Sequence, residues 1–298
     1  MRRTRAAKVN PRAQNSRAPI GLETLDRHRD HHFRRIPNRR VAGEKSALAF
    51  INDVGFCTGF SAGLGVPCLR EAIAGQREPK IPEHLQHDYA IGMTWGIKDT
   101  LPAKRLVYYG KVIAGRPSFI ARDMLGAFLR LRIEPGGYAK LYTRGLLSHC
   151  AKGIMDALTK RGASETMALK LASGYSQPNR RAEFDRAMKD LQGKFLALKV
   201  EEHYEPFTYV WDTLEHRWPD ALKESRSLSK STAAYLIIRR YFEVAGFGNE
   251  RALARILQID PALVDAATRK LEREEIIRRE VRIEGAPGKH SVLRQLLF

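Results

Sequence analysis

The chain has 298 residues, of which 43% are hydrophobic, so it can bury the cores of two or three small domains. Its 52 lysines and arginines outnumber its 33 acidic residues and leave a net charge of +19, which favours a polyanionic partner such as nucleic acid. The apolar runs fall far below the roughly 18 residues that span a bilayer, and the three cysteines make no disulfide framework. These properties exclude a membrane protein and a disulfide-rich secreted domain, and we expect a protein of the reducing cytoplasm, associated with the nucleoid.

The first 40 residues are predicted to form a disordered basic arm. They contain twelve basic and three acidic side chains, several Pro and Asn residues, and few large apolar residues. Such a composition cannot bury enough surface to offset the entropy lost when the chain becomes ordered. The alternative is a leader that becomes ordered only by docking onto the folded body.

Residues 41–140 are the hardest part of the chain to interpret. KSALAFIND (45–53) and PCLREAIAG (67–75) have the spacing of helices, whereas IGMTWGI (91–97) alternates like a strand. PAKRLVYYGKVIAG (102–115) again has helical spacing. We interpret this region as a divergent first winged-helix-like unit.

An internal repeat at an offset of 80 residues defines the next two units. FDRAMKDLQGKFLAL, which starts at Phe184, aligns with VDAATRKLEREEIIR, which starts at Val264, and both the apolar spacing and the charges are preserved. The second unit is assigned to residues 141–222. It is predicted to contain helices over 143–160, after 164 and over 178–192, followed by hairpin strands near 195–201 and 207–211.

The third unit, residues 223–298, has the same predicted order of elements. Its helices are predicted over 229–244, 249–257 and 261–272, and a strand over 275–283 pairs with the C-terminal HSVLRQLLF. Three helices followed by a two-stranded ribbon form a winged helix, which is a helix-turn-helix variant. The predicted fold class is therefore mainly α with small β-hairpins (α+β), organised as tandem winged helix-turn-helix units.

The third helix of each complete unit has the properties of a helix that follows a DNA groove, because it buries one face and exposes cations on the other. The exposed faces carry Arg186 and Lys189 in the second unit and Arg269, Lys270 and Arg273 in the third. The predicted DNA-binding set is completed by Lys289 in the last hairpin and by Lys98, Lys104, Arg105, Lys111 and Arg116. Ordinary solvated helix faces are the alternative interpretation.

Asn52 and Asp53 stand directly behind the apolar run in ALAFINDVGF (47–56). Either this polar pair caps the end of a helix or is buried and hydrogen-bonded, or Asp53 is a catalytic carboxylate that positions water, with Asn52 beside it. The similar stretch LQIDP, with Gln258 and Asp260, lies where helix capping and turn chemistry require such residues, so we assign it no catalytic role. No metal site and no cofactor are expected, because the Cys and His residues lack the close spacing of a zinc site.

Five aromatic residues are candidates for a platform on which an extruded base could stack: Trp95, Tyr108, Tyr109, Trp211 and Trp218. Most aromatic side chains at such positions belong to a hydrophobic core. We expect Tyr108 and Tyr109 to be core residues.

The segments FINDVGF (50–56) and TWGIKDTLPAKRLVYYGKVIAGRP (94–117), together with the paired winged helices, resemble the AlkZ/YcaQ-like family of winged-helix DNA glycosylases, in its short AlkZ-related branch. The resemblance runs from about residue 44 to residue 284, and residues 95–117 are its most specific part. It implies a scaffold that grips double-stranded, damaged DNA. The implied activity is that of a monofunctional DNA glycosylase, which excises alkylated bases or takes part in crosslink repair.

This chain departs from the family motif, a Gln-x-Gln or Gln-x-Asp sequence, at the place where FINDVG stands. If Asp53 takes the acidic position, Ile51 takes the Gln position and cannot hold a water. The chain also ends after the last hairpin, so we expect no C-terminal β-barrel. The alternative function is therefore a DNA-binding transcriptional regulator without enzymatic activity, and a third is an RNA-associated protein.

Overall fold

The computed structural model describes residues 20–84 and 88–298. Within them one order of elements occurs three times, namely a helix, a short strand, two helices and a two-stranded hairpin. This is the order predicted for a winged helix-turn-helix unit. All three sheets are small and open, so the predicted α+β fold class, mainly helical with short hairpins, is confirmed.

The bounds of the elements follow the chain. Two elements precede the repeats: β1 (Ile20–Gly21) and α1 (Leu22–His32). The first repeat comprises α2 (Glu44–Val54), β2 (Phe56–Thr58), α3 (Leu69–Ala74), α4 (Tyr89–Ala103), β3 (Val107–Ile113) and β4 (Arg116–Ala121). It is linked to the second repeat by α5 (Arg122–Arg132) and α6 (Gly137–Thr143).

The second repeat comprises α7 (His149–Arg161), β5 (Ser164–Glu165), α8 (Thr166–Ala172), α9 (Arg181–Gly193), β6 (Ala197–Tyr204) and β7 (Phe207–Thr213). Two further linking helices are α10 (Leu214–Arg217) and α11 (Pro219–Ser227). The third repeat comprises α12 (Lys230–Ala245), β8 (Phe247–Gly248), α13 (Glu250–Leu257), α14 (Pro261–Arg273), β9 (Ile277–Glu284) and β10 (Ala286–Leu293). Among the described residues no helix is both long and apolar enough to cross a bilayer.

The second and third repeats begin with local capping signals. The hydroxyl oxygen of Ser148 accepts a hydrogen bond from the amide of Ala151 (3.1 Å) at the start of α7. Ser229 does the same for Thr232 (3.0 Å) at the start of α12. A side-chain oxygen at this position satisfies an amide that the helix itself leaves without a partner, so the corresponding helices of the two repeats start for the same reason.

The prediction of a disordered arm is wrong for residues 20–40, which fold onto the third repeat and, through Arg34 and Arg35, onto the first. β1 pairs in parallel with β9, and Leu25 of α1 is fully buried. The guanidinium of Arg29 lies 3.6 Å from the centroid of the Phe247 ring. A few apolar anchors and one stacked arginine therefore order a segment whose composition alone predicts disorder. The rest of the predicted arm, residues 1–19, lies outside the described residues.

The two larger hydrophobic cores of the described residues lie between the repeats and within the second one. The larger one joins α2 and α5 to α12 and α14, so the first and third repeats share it, and one face of the β6–β7 hairpin also contributes. The smaller one lies among α6, α7, α8 and α9. The first hairpin also meets the third repeat, because the amide of Ala114 donates to the carbonyl of Ile256 (2.7 Å). The unit boundaries at 140 and 222 stay predictions.

Two predicted elements of the first repeat are wrong. The stretch 91–97, predicted as a strand, lies within α4. The stretch 102–115, predicted as a helix, contains β3 and the turn into β4. Corrected in this way, the first repeat has the same order of elements as the other two.

Candidate nucleic-acid interface

A basic cleft of about 640 Å³ opens where the second repeat faces the other two. Its walls come from α8, α9 and β7, from β3 and the end of α5, and from the residue that follows α13. Asp185 is the one acidic side chain among the described residues of the lining. The cations of the lining are Lys111, Arg132, Lys170, Arg181 and Lys189.

One face of α9 borders the cleft. Its lining residues, at positions 181, 184, 185, 188, 189 and 192, follow helical spacing. Phe184 and Met188 are buried, whereas Lys189 is exposed. Arg186 lies off this face, and its Nε donates to the carbonyl of Ala182 (3.3 Å). Of the two predicted DNA-binding residues of this helix, the cleft therefore contains Lys189 and not Arg186.

Three cations of the cleft have no carboxylate partner in the part of the chain that the structure describes, namely Lys111, Lys170 and Lys189. Lys170 Nζ lies 5.3 Å from the centroid of the Phe184 ring. Arg181 differs, because its Nε lies 3.7 Å from the carboxylate of Asp185. Cations that are not neutralised and share a concave surface concentrate positive potential, which attracts phosphate groups.

Arg132 connects the cleft to the third repeat. Its guanidinium donates to Oε1 of Gln258 (2.6 Å) and to the carbonyl of Leu257 (2.6 Å). Burial lowers the pKa of Arg132, although an arginine remains charged at neutral pH. Because Arg132 binds the oxygen of the Gln258 side-chain amide, the NH₂ group of that amide can still donate a hydrogen bond beside the cleft.

The prediction that Lys98 contacts DNA is wrong, because this ammonium is buried. Its side chain is 2% exposed, and Nζ lies 2.6 Å from the carboxylate of Asp99 and 2.5 Å from that of Glu202. Lys199 also pairs with Glu202. Burial and then the charge of Lys98 lower the pKa of Lys199 to about 8. These groups join α4 to the hairpin of the second repeat.

The other predicted cations of the first repeat are dispersed. Lys111 lines the cleft. Lys104 forms an ion pair with Glu44. Arg105 is exposed in the turn between α4 and β3, and Arg116 is exposed at the start of β4. Only Lys111 of this group therefore joins the cations of the second repeat.

The predicted cations of the third repeat are largely neutralised. Arg269 Nε lies 2.9 Å from the carboxylate of Asp265, and Lys270 Nζ lies 3.8 Å from that of Glu274. In the hairpin, Lys289 pairs with Glu280, whereas Arg273 is exposed on α14. Three of these four cations are therefore paired with carboxylates, unlike Lys111, Lys170 and Lys189 of the cleft.

Asp53 is exposed at the end of α2, outside the lining of the cleft. Its side chain is 65% exposed, and its carboxylate accepts a hydrogen bond from Arg34 (2.7 Å). Arg240 donates to the backbone carbonyls of Asn52 (3.2 Å) and Asp53 (3.3 Å). Asn52 is exposed as well, whereas Ile51 is fully buried.

Of the two aspartates considered as helix caps, Asp53 and Asp260, only Asp260 caps a helix. α2 ends at Val54 and is followed by Gly55, which has a φ of 80°. Asp53 pairs with Arg34, and both Asn52 and Asp53 are exposed, so the interpretations of this pair as a helix cap and as a buried pair are wrong. The assignment of Asp260 to helix capping is confirmed, because its Oδ1 accepts from the amide of Ala262 (2.8 Å) at the start of α14.

Over residues 20–84 and 88–298, no three His, Cys, Asp or Glu side chains come together so as to hold a metal ion. A cavity of about 810 Å³ lies between α5–α7 and α10–α11. Its charged lining residues are of both signs, Arg130 and Arg226 against Glu134 and Glu215, so it lacks the excess of cations that would attract a polyanion.

The sequence did not identify several lining residues of the cleft as binding residues, namely Arg132, Lys170, Phe207 and Tyr209. The sequence FTYVW (207–211) could have predicted a shared aromatic surface, because aromatic residues at every second position of a strand lie on one face. No sequence pattern around Arg132 or Lys170 predicts that they line a cleft.

Comparisons with known proteins give the following similarities. A family model described as AlkZ related matches residues 41–258. Among solved structures, the Streptomyces sahachiroi DNA glycosylase AlkZ is similar, with a TM-score of 0.58 and 11% identity over 93% of this chain and 71% of that chain. No curated protein matches the sequence. At so low an identity, the structural likeness shows a shared fold alone.

Proposed function

We propose that this chain, which belongs to the AlkZ-related family, binds DNA through the basic cleft of its second repeat. The observation that carries this proposal is the group of cations without carboxylate partners among the described residues, Lys111, Lys170 and Lys189. Phosphate oxygens are the natural partners of such a group, and the net charge of +19 adds long-range attraction. In this proposal α9 follows the DNA backbone, and the protein acts in the cytoplasm at the nucleoid.

The test measures DNA affinity against salt concentration for the wild type and for Lys189→Ala and Lys170→Ala. If each lysine contacts a phosphate, each variant should lower the slope of log affinity against log salt by about 0.9 on duplex DNA. Lys223→Ala is the matched control, because Lys223 is an exposed lysine of α11 outside the cleft. A wild type with no salt response, or equal losses in all three variants, would overturn the proposal.

Base excision is proposed to proceed through Asp53. An N-alkylated purine carries positive charge and leaves readily, so the enzyme has to position a water and stabilise the positive charge that develops on the sugar. The carboxylate of Asp53 would take the proton of the water as its oxygen attacks C1′ and the base departs with the bonding electrons. Its exposure and its contact with Arg34 support this role, since the carboxylate is accessible and held in place.

DNA binding without chemistry is the second candidate function. It is favoured by Ile51, which is fully buried and apolar. If Asp53 takes the acidic position of the family motif, Ile51 takes the Gln position and cannot hold a water. The position of Asp53 outside the lining of the cleft agrees with this candidate. A transcriptional regulator of this fold would be expected to dimerise on paired half-sites.

Excision of N7-alkylated purine and of an interstrand crosslink from labelled DNA decides between the two. If Asp53 is catalytic, the wild type yields abasic product and Asp53→Asn yields none. Asp123→Asn is the matched control, because Asp123 is another exposed aspartate that faces an arginine, at 3.5 Å from Arg240. No product from the wild type, with DNA binding intact, would establish a binding protein without chemistry.

A further inference from the structure

The wall of the cleft that β7 forms is a row of aromatic rings. Phe207, Tyr209 and Trp211 occupy alternate positions of the strand and line the cleft together. The ring centroids of Phe207 and Tyr209 are 5.1 Å apart, and those of Tyr209 and Trp211 are 5.7 Å apart. Both contacts are edge-to-face, so the rings form one continuous packed row.

The row runs from the solvent-exposed tip of the hairpin into the protein. Phe207 is 58% exposed, Tyr209 is partly buried, and Trp211 is 7% exposed. Trp211 is fixed by the hydrogen bond from its indole nitrogen to Thr166 Oγ1 (2.9 Å). The inner end of the row is therefore a rigid support, and Phe207 presents an apolar ring to the cleft and to water.

The lysines without carboxylate partners lie on the walls that surround this row. Lys111 comes from β3, Lys170 from α8 and Lys189 from α9, whereas the rings come from β7. A cationic groove lined with aromatic rings is the arrangement that binds single-stranded nucleic acid, because phosphates meet the cations and bases stack on the rings. In a duplex the faces of the bases are covered by their neighbours, so only an unpaired base can use such a ring.

The size of the cleft favours the same occupant. Its volume of about 640 Å³ is within the range of roughly 300–1,000 Å³ found for sites that enclose ligands of drug size, comparable to about one or two nucleotides. The amide of Gln258, held through its oxygen by Arg132, adds a hydrogen-bond donor at the rim.

We propose that the cleft holds an unpaired segment of DNA, with a base stacked on Phe207 and the adjacent phosphates bound by Lys111, Lys170 and Lys189. This inference rests on the proposed DNA binding and names the form of DNA that the cleft accepts. It assigns to Phe207 a role in recognising unpaired bases, which differs from the role of the lysines in phosphate binding.

The test uses the full chain and three labelled DNAs of related sequence: a single strand, a perfect duplex and a duplex with a short unpaired loop. Phe207→Ala should weaken binding of the single strand and of the looped duplex by about 5- to 150-fold for one lost stack. Binding of the perfect duplex should change by less than about twofold. Phe207→Trp, which keeps a ring, should restore the affinity for unpaired DNA.

A matched control and a second signal make the result decisive. Tyr89→Ala removes another exposed aromatic residue, 63% exposed and outside the cleft, and should leave all three affinities unchanged. A 2-aminopurine in the loop should change its fluorescence on binding to the wild type and not on binding to Phe207→Ala.

The possible failures are distinguishable. If the wild type binds duplex DNA with the salt dependence described above, but Phe207→Ala binds unpaired DNA as tightly as the wild type, this inference is overturned and the proposed DNA binding stands. If Phe207→Ala weakens binding of all three DNAs equally, Phe207 has no role specific to unpaired bases. If the wild type binds none of the three, both proposals fail.

Discussion

The ammonium groups of Lys98 and Lys199 share one carboxylate, that of Glu202, where the first repeat meets the second. The hydroxyl of Tyr204 donates to Asp99 (2.5 Å), so two acids, two amines and a phenol form one network. The side chains of Lys98 and Glu202 are 2% and 4% exposed. A desolvated ammonium remains a cation only while carboxylates surround it, and here two amines compete for the same carboxylate.

We expect the free energy of unfolding to contain a pH-dependent contribution from Lys199. Burial, and next the charge of Lys98, lower its pKa from 10.5 to about 8 in the folded protein. Between these two values the unfolded chain binds more protons than the folded one, so this contribution becomes more favourable as the pH rises from about 8 to about 10.5. Below about pH 8 the folded protein bears the full cost of the buried charge.

Chemical denaturation at about pH 7.5, 9 and 10.5 measures this contribution when the wild type is compared with Lys199→Met. The difference in free energy of unfolding should shift in favour of the wild type as the pH rises. Lys223→Met, at an exposed lysine, should show a constant difference. A constant difference for Lys199→Met as well, or a shift in the opposite direction, would contradict the lowered pKa.

At this scale the sequence predicts which side chains are charged and not which are accessible. Lys98 was assigned to DNA from its place in a basic segment, but its partner Glu202 lies 104 positions away. Arg34, the partner of Asp53, likewise lies in a segment whose composition predicts disorder. Partners that are distant in sequence cannot be found from local patterns.

Two elements of the first repeat show how apolar spacing can mislead. In α4 the apolar residues Ile91, Met93, Trp95 and Ile97 alternate like a strand, but the buried positions are 90, 91, 94, 97, 98, 101 and 102, which is helical spacing. In β3 the opposite error arises, because the buried residues at 107, 108, 112 and 113 lie on both faces of a strand. Burial on both faces removes the alternation that identifies a strand.

The signal that identifies α4 as a helix is its cap. The carboxylate of Asp88 accepts a hydrogen bond from the amide of Ile91 (2.7 Å), which satisfies an amide that lacks an intrahelical partner. We expect Asp88→Ala to lower the free energy of unfolding by about 1 kcal/mol. Asp88→Ser keeps a capping oxygen and should lose less than half as much.

Denaturation midpoints of the two variants and the wild type check this prediction. The slope of free energy against denaturant should be the same in all three, because no surface burial changes. If Asp88→Ser is destabilised as much as Asp88→Ala, the negative charge at the start of the helix, and not the hydrogen bond, is responsible. If neither is destabilised, the cap makes no net contribution.

The arrangement of the whole molecule was only partly accessible from the sequence. The offset of 80 residues revealed two related repeats, because apolar spacing is preserved between them. The cleft could not be predicted, since it depends on how the second repeat is placed against the others. Its lining combines Lys111, Phe207 and Gln258, which are far apart in sequence and come from the first, second and third repeats.

The distribution of the cores predicts how the molecule unfolds. Ile237 of α12 is fully buried in the core that joins the first and third repeats, whereas Leu158 of α7 is buried in the core of the second repeat. Each change to alanine should destabilise its own core by about 2–5 kcal/mol. Since α2 and α5 share a core with α12, Ile237→Ala should lower the protection of their amides against hydrogen exchange, although they belong to the first half of the chain.

Native-state hydrogen exchange at low denaturant measures this directly. Ile237→Ala should accelerate exchange in α2, α5 and α12 together and leave α7 and α9 little changed, and Leu158→Ala should do the reverse. Acceleration confined to α12 in the first variant would mean that the first and third repeats open independently, in spite of their common core. Joint opening, by contrast, would make the first and third repeats one rigid frame against which the helices of the second repeat can move. In that case motion of these helices would change the width of the cleft, because α8 and α9 form part of its wall.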